Sequence, residues 1–455
     1  MELLDPEAFM PEKIGAVHEG TIGWFWPGQV KPRSWKKEPE RGYLKLADDN
    51  RLQLVLLDES DSFKDRHGSS ALPRIITGAT ESGGVLLLDI VGRGSTRSFG
   101  GASASVLRYR ARSLIVGVDI KEIRSANVHS IATHYFGISS WLGLSAVVEN
   151  WQNHNGSNRL KSFTITADVQ PEQSVMISGG RELVISAHWE VGGPEDRRTV
   201  LSPVSIACQS KSPKHLAYLR YPLLRIQDLI SLAYDGFVAA DDGRAVPHID
   251  NELLLSTPSY WDSLLMATSN GDAVKDRDLP YFHCADIGGL AGLARWTSLC
   301  YRHLRAVRPI VERYRQGKAS PPLRLMEVAA GIEYWVAAHR PSTQWARRMC
   351  PRRGHRCGYA WTLATHVGSP FAEWIGDVDT WAQEFWSTYN KLKHEPGYDV
   401  DERKCSLLAE SALLLLAAAL LNRVATNKTP SKRIFQGSAH RTWQLREALQ
   451  KVLGT

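Results

Sequence analysis

Residues Trp381–Asp401, WAQEFWSTYNKLKHEPGYDVD, decide how the second half of this chain folds. Trp374, Val378, Trp381, Phe385 and Leu392, with Thr388 filling the step between the last two, recur at helical spacing and predict one buried face. Gln383, Ser387, Asn390 and His394 form a different stripe, in which Asn390 and His394 are one turn apart and lie one above the other. Each lies roughly 160° around the axis from Leu392, so both are expected to face a partner helix, a second chain or a cleft. Pro396 stops the helix just past His394.

This pattern suits phosphodiester chemistry. A histidine in the last helical turn is favoured as a cation by the helix dipole, and an imidazole exchanges protons around neutral pH. His394 could take the proton of a ribose 2′-hydroxyl or give one to the departing 5′-oxygen. Lys391 and Lys393 flank it, and an ammonium there could stabilise the extra charge on a phosphorane. Such chemistry needs no metal. Spacing alone does not assign the role, because a helical histidine beside lysines is more often a plain surface residue.

Outward from this segment, the chain reads as helical from Ile287 on, with helices expected over Gly289–Tyr314, Leu323–Ala338, Ala360–Val367, Asp377–His394, Asp401–Asn427 and Ala439–Leu453. The first half reads as strands: Arg51–Asp58, Gly84–Val91, Ser113–Ile120, Ser162–Ala167 and Glu182–Val191 are short, β-branched or leucine-rich, and separated by Gly, Asn and Ser turns. An antiparallel sandwich or partly open barrel is expected. No helical period of useful length precedes about Leu219; Leu223–Phe237 is a helix, Asn251–Arg277 a brief return to strands, and Asp272–Pro280 a linker. The fold class is α+β, with a β-rich domain over 1–275 and an all-α bundle over 276–455.

With 455 residues, 43% hydrophobic and 23% charged, the composition is that of an ordinary globular protein and excludes a fibre or a disordered chain. Met1–Phe9 carries acids and no apolar run, unlike a signal peptide. The longest apolar run, Ala412–Leu421, is too short to cross a bilayer and predicts a buried helix. A cytoplasmic protein with no membrane partner is expected. Its six scattered cysteines show no disulfide framework.

The net charge of +7 is concentrated. Between Cys300 and Tyr359, arginines and one lysine greatly outnumber Glu312, Glu327 and Glu333. Such a block either binds a polyanion such as RNA or forms a solvated helical surface; charge alone leaves both open. Within it, Cys350, His355 and Cys357, with His366 as a fourth, have metal-ligand character, but Arg347, Arg348, Arg352, Arg353 and Arg356 crowd them and would repel a cation. An RNA-facing basic loop is the stronger expectation and an ordinary surface loop the alternative, so neither metal nor cofactor is expected. Gly92-Arg93-Gly94 and Gly100-Gly101 lack the strand–loop–helix context of a nucleotide fingerprint. The fifteen tryptophans suit core packing, with base stacking open to any exposed ones.

Tyr389-Asn390-Lys391-Leu392-Lys393-His394, followed by a turn and a long apolar helix, resembles the R-x(4–6)-H motif of HEPN ribonuclease domains. The front half resembles the N-terminal domain of ApeA-type phage-exclusion proteins, in the strand pair around an I-x-G turn at Ile75-Ile76-Thr77-Gly78, in Gly83–Asp89, and in the aromatic segment Tyr135–Leu144. The resemblance spans nearly the whole chain. It implies a defence endoribonuclease that cleaves host RNA, tRNA foremost, with a front domain that senses a phage-derived trigger. It also implies a homo-oligomer formed through the motif helices, with two copies of His394 at one cleft. By this resemblance His394 is the acid/base, Asn390 an orienting group, Lys393 a phosphate partner, and Glu333 an acid facing the motif from an earlier helix. Tyr389 stands where the family has its arginine, the phosphate clamp, and tyrosine cannot replace that charge. Either Lys393, one turn away, restores a cation locally, or the domain has lost cleavage and binds RNA or protein only.

Overall fold

In the computed structural model, the residues described are 17, 19–28, 39–46, 52–58, 72–81, 83–96, 105–118, 127–153, 160–195, 198–247, 261–265, 279–317, 319–348, 358–437 and 440–454. The layout is α+β: a multi-stranded antiparallel sheet domain followed by an all-helical region.

Strands β1 (Thr21–Pro27), β2 (Glu40–Leu46), β3 (Leu52–Asp58), β4 (Ile75–Thr80), β5 (Gly83–Thr96) and β6 (Ser105–Val118) close on themselves. Neighbours run β6-β3-β2-β1-β4-β5, and β5 pairs back onto β6 along nearly its whole length. Period-two alternation drives the closure: in β1, Thr21, Gly23 and Phe25 point in while Ile22 and Trp24 point out. Phe25, Leu44, Leu54, Leu56, Val85 and Leu107 are among the side chains that fill the barrel, a core of its own.

Gly78 lies inside strand β4 and not in a turn; the hairpin turns at Glu81 instead. Its role is close approach. A Cβ on Gly78 would sit 2.5 Å from Phe25 Cδ1 and 2.8 Å from Val85 Cγ2. Gly78→Ala is therefore expected to cost about 1–3 kcal/mol by overpacking, read as a lower urea midpoint. An unchanged midpoint would mean that Phe25 repacks without strain.

The sheet continues beyond the barrel through β16 (Trp261–Leu265), β15 (Ala240–Pro247), β7 (Asn127–Tyr135), β14 (Val204–His215), β11 (Arg181–Ala187) and β10 (Gln173–Ile177), in that order from β6. Two short ribbons stand apart from it, β8 (Val147–Asn153) with β9 (Leu160–Ala167), and β12 (Glu190–Gly192) with β13 (Thr199–Leu201). A short helix, α1 (Ile138–Leu142), interrupts the strands earlier than the periodicity predicts. Gly137 and Gly143, both left-handed, bound it, and it buries Ile138 and Trp141 from the aromatic segment. Helix α2 (Leu216–Tyr234) starts before the expected Leu223, capped by His215 and running through Pro222 inside it, and it packs on β14 and β7. It ends at Asp235, a non-glycine residue at φ 50°.

The helical region comprises α3 (Gly289–Arg302), α4 (Leu304–Gln316), α5 (Pro321–His339), α6 (Gly358–Val367), α7 (Ser369–Ile375), α8 (Val378–His394), α9 (Glu402–Ala425), α10 (Thr429–Gln436) and α11 (His440–Leu453). The single helix expected over Gly289–Tyr314 is two, broken at His303; α7 and α10 are further short helices that periodicity missed. Helix α9 is apolar on every side and is the centre of the bundle, packed by α3, α4, α5, α6, α8, α10 and α11. It is long and apolar enough to cross a membrane, but 72% of that stretch is buried within the protein.

The sheet beyond the barrel, α2 and the bundle share one continuous core. Tyr135 donates to the Leu223 carbonyl at 2.7 Å, and Trp296 Nε1 donates to the Arg225 carbonyl at 2.7 Å. The expected boundary at 275/276 and most of the expected linker lie outside the described residues.

Candidate functional site

Helices α8 and α9 each begin at an aspartate cap. Asp377 caps the N-terminus of α8, its carboxylate accepting from the Asp379 and Thr380 amides at 2.9 and 3.1 Å. At the other end, Asp401 caps α9 by accepting from the Lys404 amide at 3.0 Å, so the two helices form a hairpin with His394 at the tip of its first arm.

The buried face of α8 differs from the one expected. Trp381, Ala382, Phe385, Trp386, Thr388 and Tyr389 are buried, Leu392 is only half-buried, and Trp374 belongs to α7, where it packs against Phe371 and Phe435. The core arc is thus rotated so that Tyr389 joins it, 5% exposed, with its ring 5.1 Å from that of Trp386.

That rotation brings three of the predicted residues together. The Tyr389 hydroxyl donates to Glu333 Oε2 on α5 at 3.5 Å, a long contact, and the Lys393 ammonium donates to the same hydroxyl at 3.3 Å. The ammonium also lies 5.4 Å from the Tyr389 ring centroid. Glu333, Tyr389 and Lys393 form a chain from acid to phenol to cation. Lys391 turns to the other side, 5.2 Å from the Tyr398 ring centroid. Asn390 is half-buried and His394 exposed, and neither has a hydrogen-bond partner among the described residues. The arrangement puts an exposed imidazole at the helix tip with an amide one turn below it, and on the same helix a cation that donates to a buried phenol.

The basic block divides in two. Arg313, Arg315 and Arg324 are not a polyanion surface. Arg313 pairs with Asp235 and with Glu410 at 2.6 Å, Arg315 with Asp228 at 2.7 Å, and Arg324 with Glu410 at 3.0 Å. Arg347 and Arg348 are exposed; Arg347 donates to the carbonyls of Arg340 and Pro341 at 3.0 and 2.7 Å. Arg352, Arg353 and Arg356, with Cys350, His355 and Cys357, lie outside the described residues. His366, the fourth of that set, stacks on Trp345 with centroids 3.9 Å apart. Among the described residues no group of three or more His, Cys, Asp or Glu could hold a metal.

Sequence reasoning missed the column of rings to which His366 belongs. Trp345 also lies 5.7 Å from His339, which lies 4.0 Å from Trp335 and 5.7 Å from His303. Four separate elements supply these rings, so no local spacing announces them. Burial, and then neighbouring cations, oppose protonation of His303 and His366, whose pKa falls to about 4 in the second case; His339 is lowered by burial as well. The unfolded chain, with histidines near about 6.5, takes up protons first on acidification. Stability is therefore complete above about pH 6.5 and declines as the pH falls toward the depressed folded-state values. The melting temperature is expected to drop by several degrees from about pH 7 to about pH 5, and to drop less in His366→Phe, which keeps the stack on Trp345. Equal drops in both proteins would refute this.

No curated protein and no solved structure is detectably similar to this chain. The family model for ApeA N-terminal domain 1 matches residues 20–296, a span that takes in the closed barrel, the extended sheet, α2 and the first half of α3. That match covers more than half of the sequence, and the chain belongs to the ApeA family of anti-phage defence proteins.

Proposed function

We propose that this protein is a metal-independent endoribonuclease of abortive infection, with a bundle of the HEPN class over 276–455 that cleaves tRNA and a domain over 1–275 that senses a phage-derived trigger. The observation that carries the reading is the chain Glu333–Tyr389–Lys393, whose last two members are sequence neighbours of Asn390 and His394 on α8. An exposed ring at a helix tip is a poor site alone. Pairing of two hairpins in a homo-oligomer would close it, bringing His394 of the partner subunit opposite the first.

One imidazole then removes the 2′-hydroxyl proton as the 2′-oxygen attacks phosphorus, and the other protonates the 5′-oxygen as its bond to phosphorus breaks. Lys393 meets the charge that develops on the phosphorane, and Asn390 orients the neighbouring ring or a phosphate oxygen. The products are a 2′,3′-cyclic phosphate and a 5′-hydroxyl. Lys391, Arg347, Arg348, Arg352, Arg353 and Arg356 would hold the RNA backbone. No metal or cofactor takes part, and the reaction belongs to the cytoplasm, with no membrane involved.

A second reading has its own support. Tyr389 is a buried phenol where an arginine clamp would stand, which favours a bundle that binds RNA or protein without cutting. Incubation with total tRNA and a chelator separates the two. Fragments ending in cyclic phosphate from the wild type, and none from His394→Ala, support the nuclease. Intact tRNA that still shifts on a native gel overturns it in favour of binding.

A further inference from the structure

The outer wall of the small barrel has a composition that barrel closure does not require. Across β1, β2, β3 and β6, Ile22 is in register with Tyr43, Tyr43 with Val55, and Val55 with Arg108. In the next row Lys45 is in register with Gln53, and Gln53 with Arg110. On the other side Trp24 pairs with Arg41, whose guanidinium lies 4.9 Å from the indole centroid. Partners in register share a face, so these side chains form one continuous surface. Their alternates Phe25, Leu44, Leu54 and Leu107 fill the interior.

Ring area is left open to solvent there, with Trp24 43% and Tyr43 40% exposed, and the aliphatic side chains of Ile22 and Leu57 are exposed beside them. Arg41, Arg108 and Arg110 are exposed and Lys45 is half-buried. None of these outward positions is acidic. A wall made for a protein partner would keep charge at its rim and out of its centre, whereas here cations stand between the rings. Flat rings interleaved with cations of one sign instead match a strand of unpaired bases joined by phosphates. Each base offers a face to stack on an aromatic ring, and each phosphate a charge for the intervening guanidinium or ammonium. A double helix keeps its base faces inside and would use only the cations.

We propose that this wall of the barrel binds single-stranded RNA, with Trp24 and Tyr43 as stacking platforms and Arg41, Lys45, Arg108 and Arg110 along the phosphates. The choice of RNA over DNA rests on the ribonuclease reading of the bundle; the site itself does not. The front domain then has a nucleic-acid contact of its own, remote in sequence from His394, through which it can take hold of a substrate or register an RNA.

Fluorescence anisotropy of the full-length protein tests this, in the His394→Ala background so that cleavage cannot consume the probe. The probes are a labelled oligouridine of about 12 nucleotides, within the span of small-barrel sites, the matching oligothymidine, and an RNA duplex. Trp24→Ala with Tyr43→Ala is expected to weaken oligouridine binding at least tenfold, since each stacked base contributes about 1–3 kcal/mol. Lys45→Glu with Arg110→Glu should weaken it similarly and flatten the salt dependence by about 0.7 per lost phosphate contact. All four positions are outside the core, and unchanged melting curves will show that the variants fold. Wild-type affinity in both double variants overturns the site, even if the bundle cleaves tRNA. Equal affinity for oligothymidine overturns RNA as the occupant. No binding of any probe, as expected of a wall that takes a protein, overturns the proposal outright. Absent cleavage by the wild type, with binding lost in the barrel variants, sinks the nuclease and leaves the barrel site standing.

Discussion

Arg313→Met is expected to destabilise the protein by about 3–5 kcal/mol, the range for breaking a buried ion pair from one side. Arg313 sits on α4, only 14% exposed, with Asp235 at the end of α2 and Glu410 on α9 at 18% and 29%. Tyr314 completes the cluster, its hydroxyl donating to Asp235 at 2.9 Å. Burial works against the guanidinium's charge, but Tyr314, Asp235 and Glu410 together raise its pKa well above the ordinary arginine value. Removing the cation leaves two carboxylates with too little water to solvate them; Arg324 still serves Glu410, while Asp235 loses its guanidinium and keeps the Tyr314 and Tyr281 hydroxyls. Methionine fills most of the volume, so the loss is electrostatic and not a cavity. The comparison is Arg308→Ala, which deletes an exposed pair with Glu312 and should cost well under about 1 kcal/mol. Urea unfolding of both variants checks the claim. A shift for Arg313→Met no larger than that for Arg308→Ala would show that the cluster is solvated and contributes little.

His394→Ala is expected to lower the rate of tRNA cleavage by about 10²–10⁴-fold, the usual contribution of a positioned acid or base, or about 2.7–5.5 kcal/mol in the barrier. The ring is exposed and makes no described contact, so the melting temperature should not move. Tyr389→Phe is the informative companion. It keeps the ring that packs on Trp386 but removes the hydroxyl between Glu333 and Lys393. Cleavage that falls with Tyr389→Phe while tRNA affinity holds identifies Lys393 as acting on the transition state. Affinity and rate falling together would mean that the lysine only binds RNA. Single-turnover cleavage and gel-shift titration separate the two.

Helix ends were legible because they are written locally. Asp377 and Asp401 are cap residues, Pro396 cannot continue a helix, and α8 and α9 begin and end within a residue or two of expectation. The rotation of α8 was not legible. With aromatic residues at 381, 385, 386 and 389, several arcs satisfy the helical period, and only the position of α5 and α6 decides which one is buried. Strands were recognised by content, but barrel closure depends on β3 reaching β6 and β1 reaching β4 across intervening strands, which alternation does not encode. The basic block misled for a similar reason. The acids that neutralise Arg313, Arg315 and Arg324 lie 78 to 97 residues away, on α2 and α9. Glu333 was placed against the motif by family resemblance alone, and no spacing in the sequence links it to Tyr389.

Helix α9 is the keystone against which seven other helices of the bundle lean, and it follows the barrel, the sheet and five of those helices along the chain. Folding on the ribosome proceeds from the N-terminus. The barrel, which has a core of its own, can therefore mature while the bundle still lacks its centre, and α8 cannot be locked at its final angle until residue 425 has emerged. Chain order thus sets a delay: the front sheet domain is made first, and the hairpin tip takes its final form only after the helix that locks it has left the ribosome.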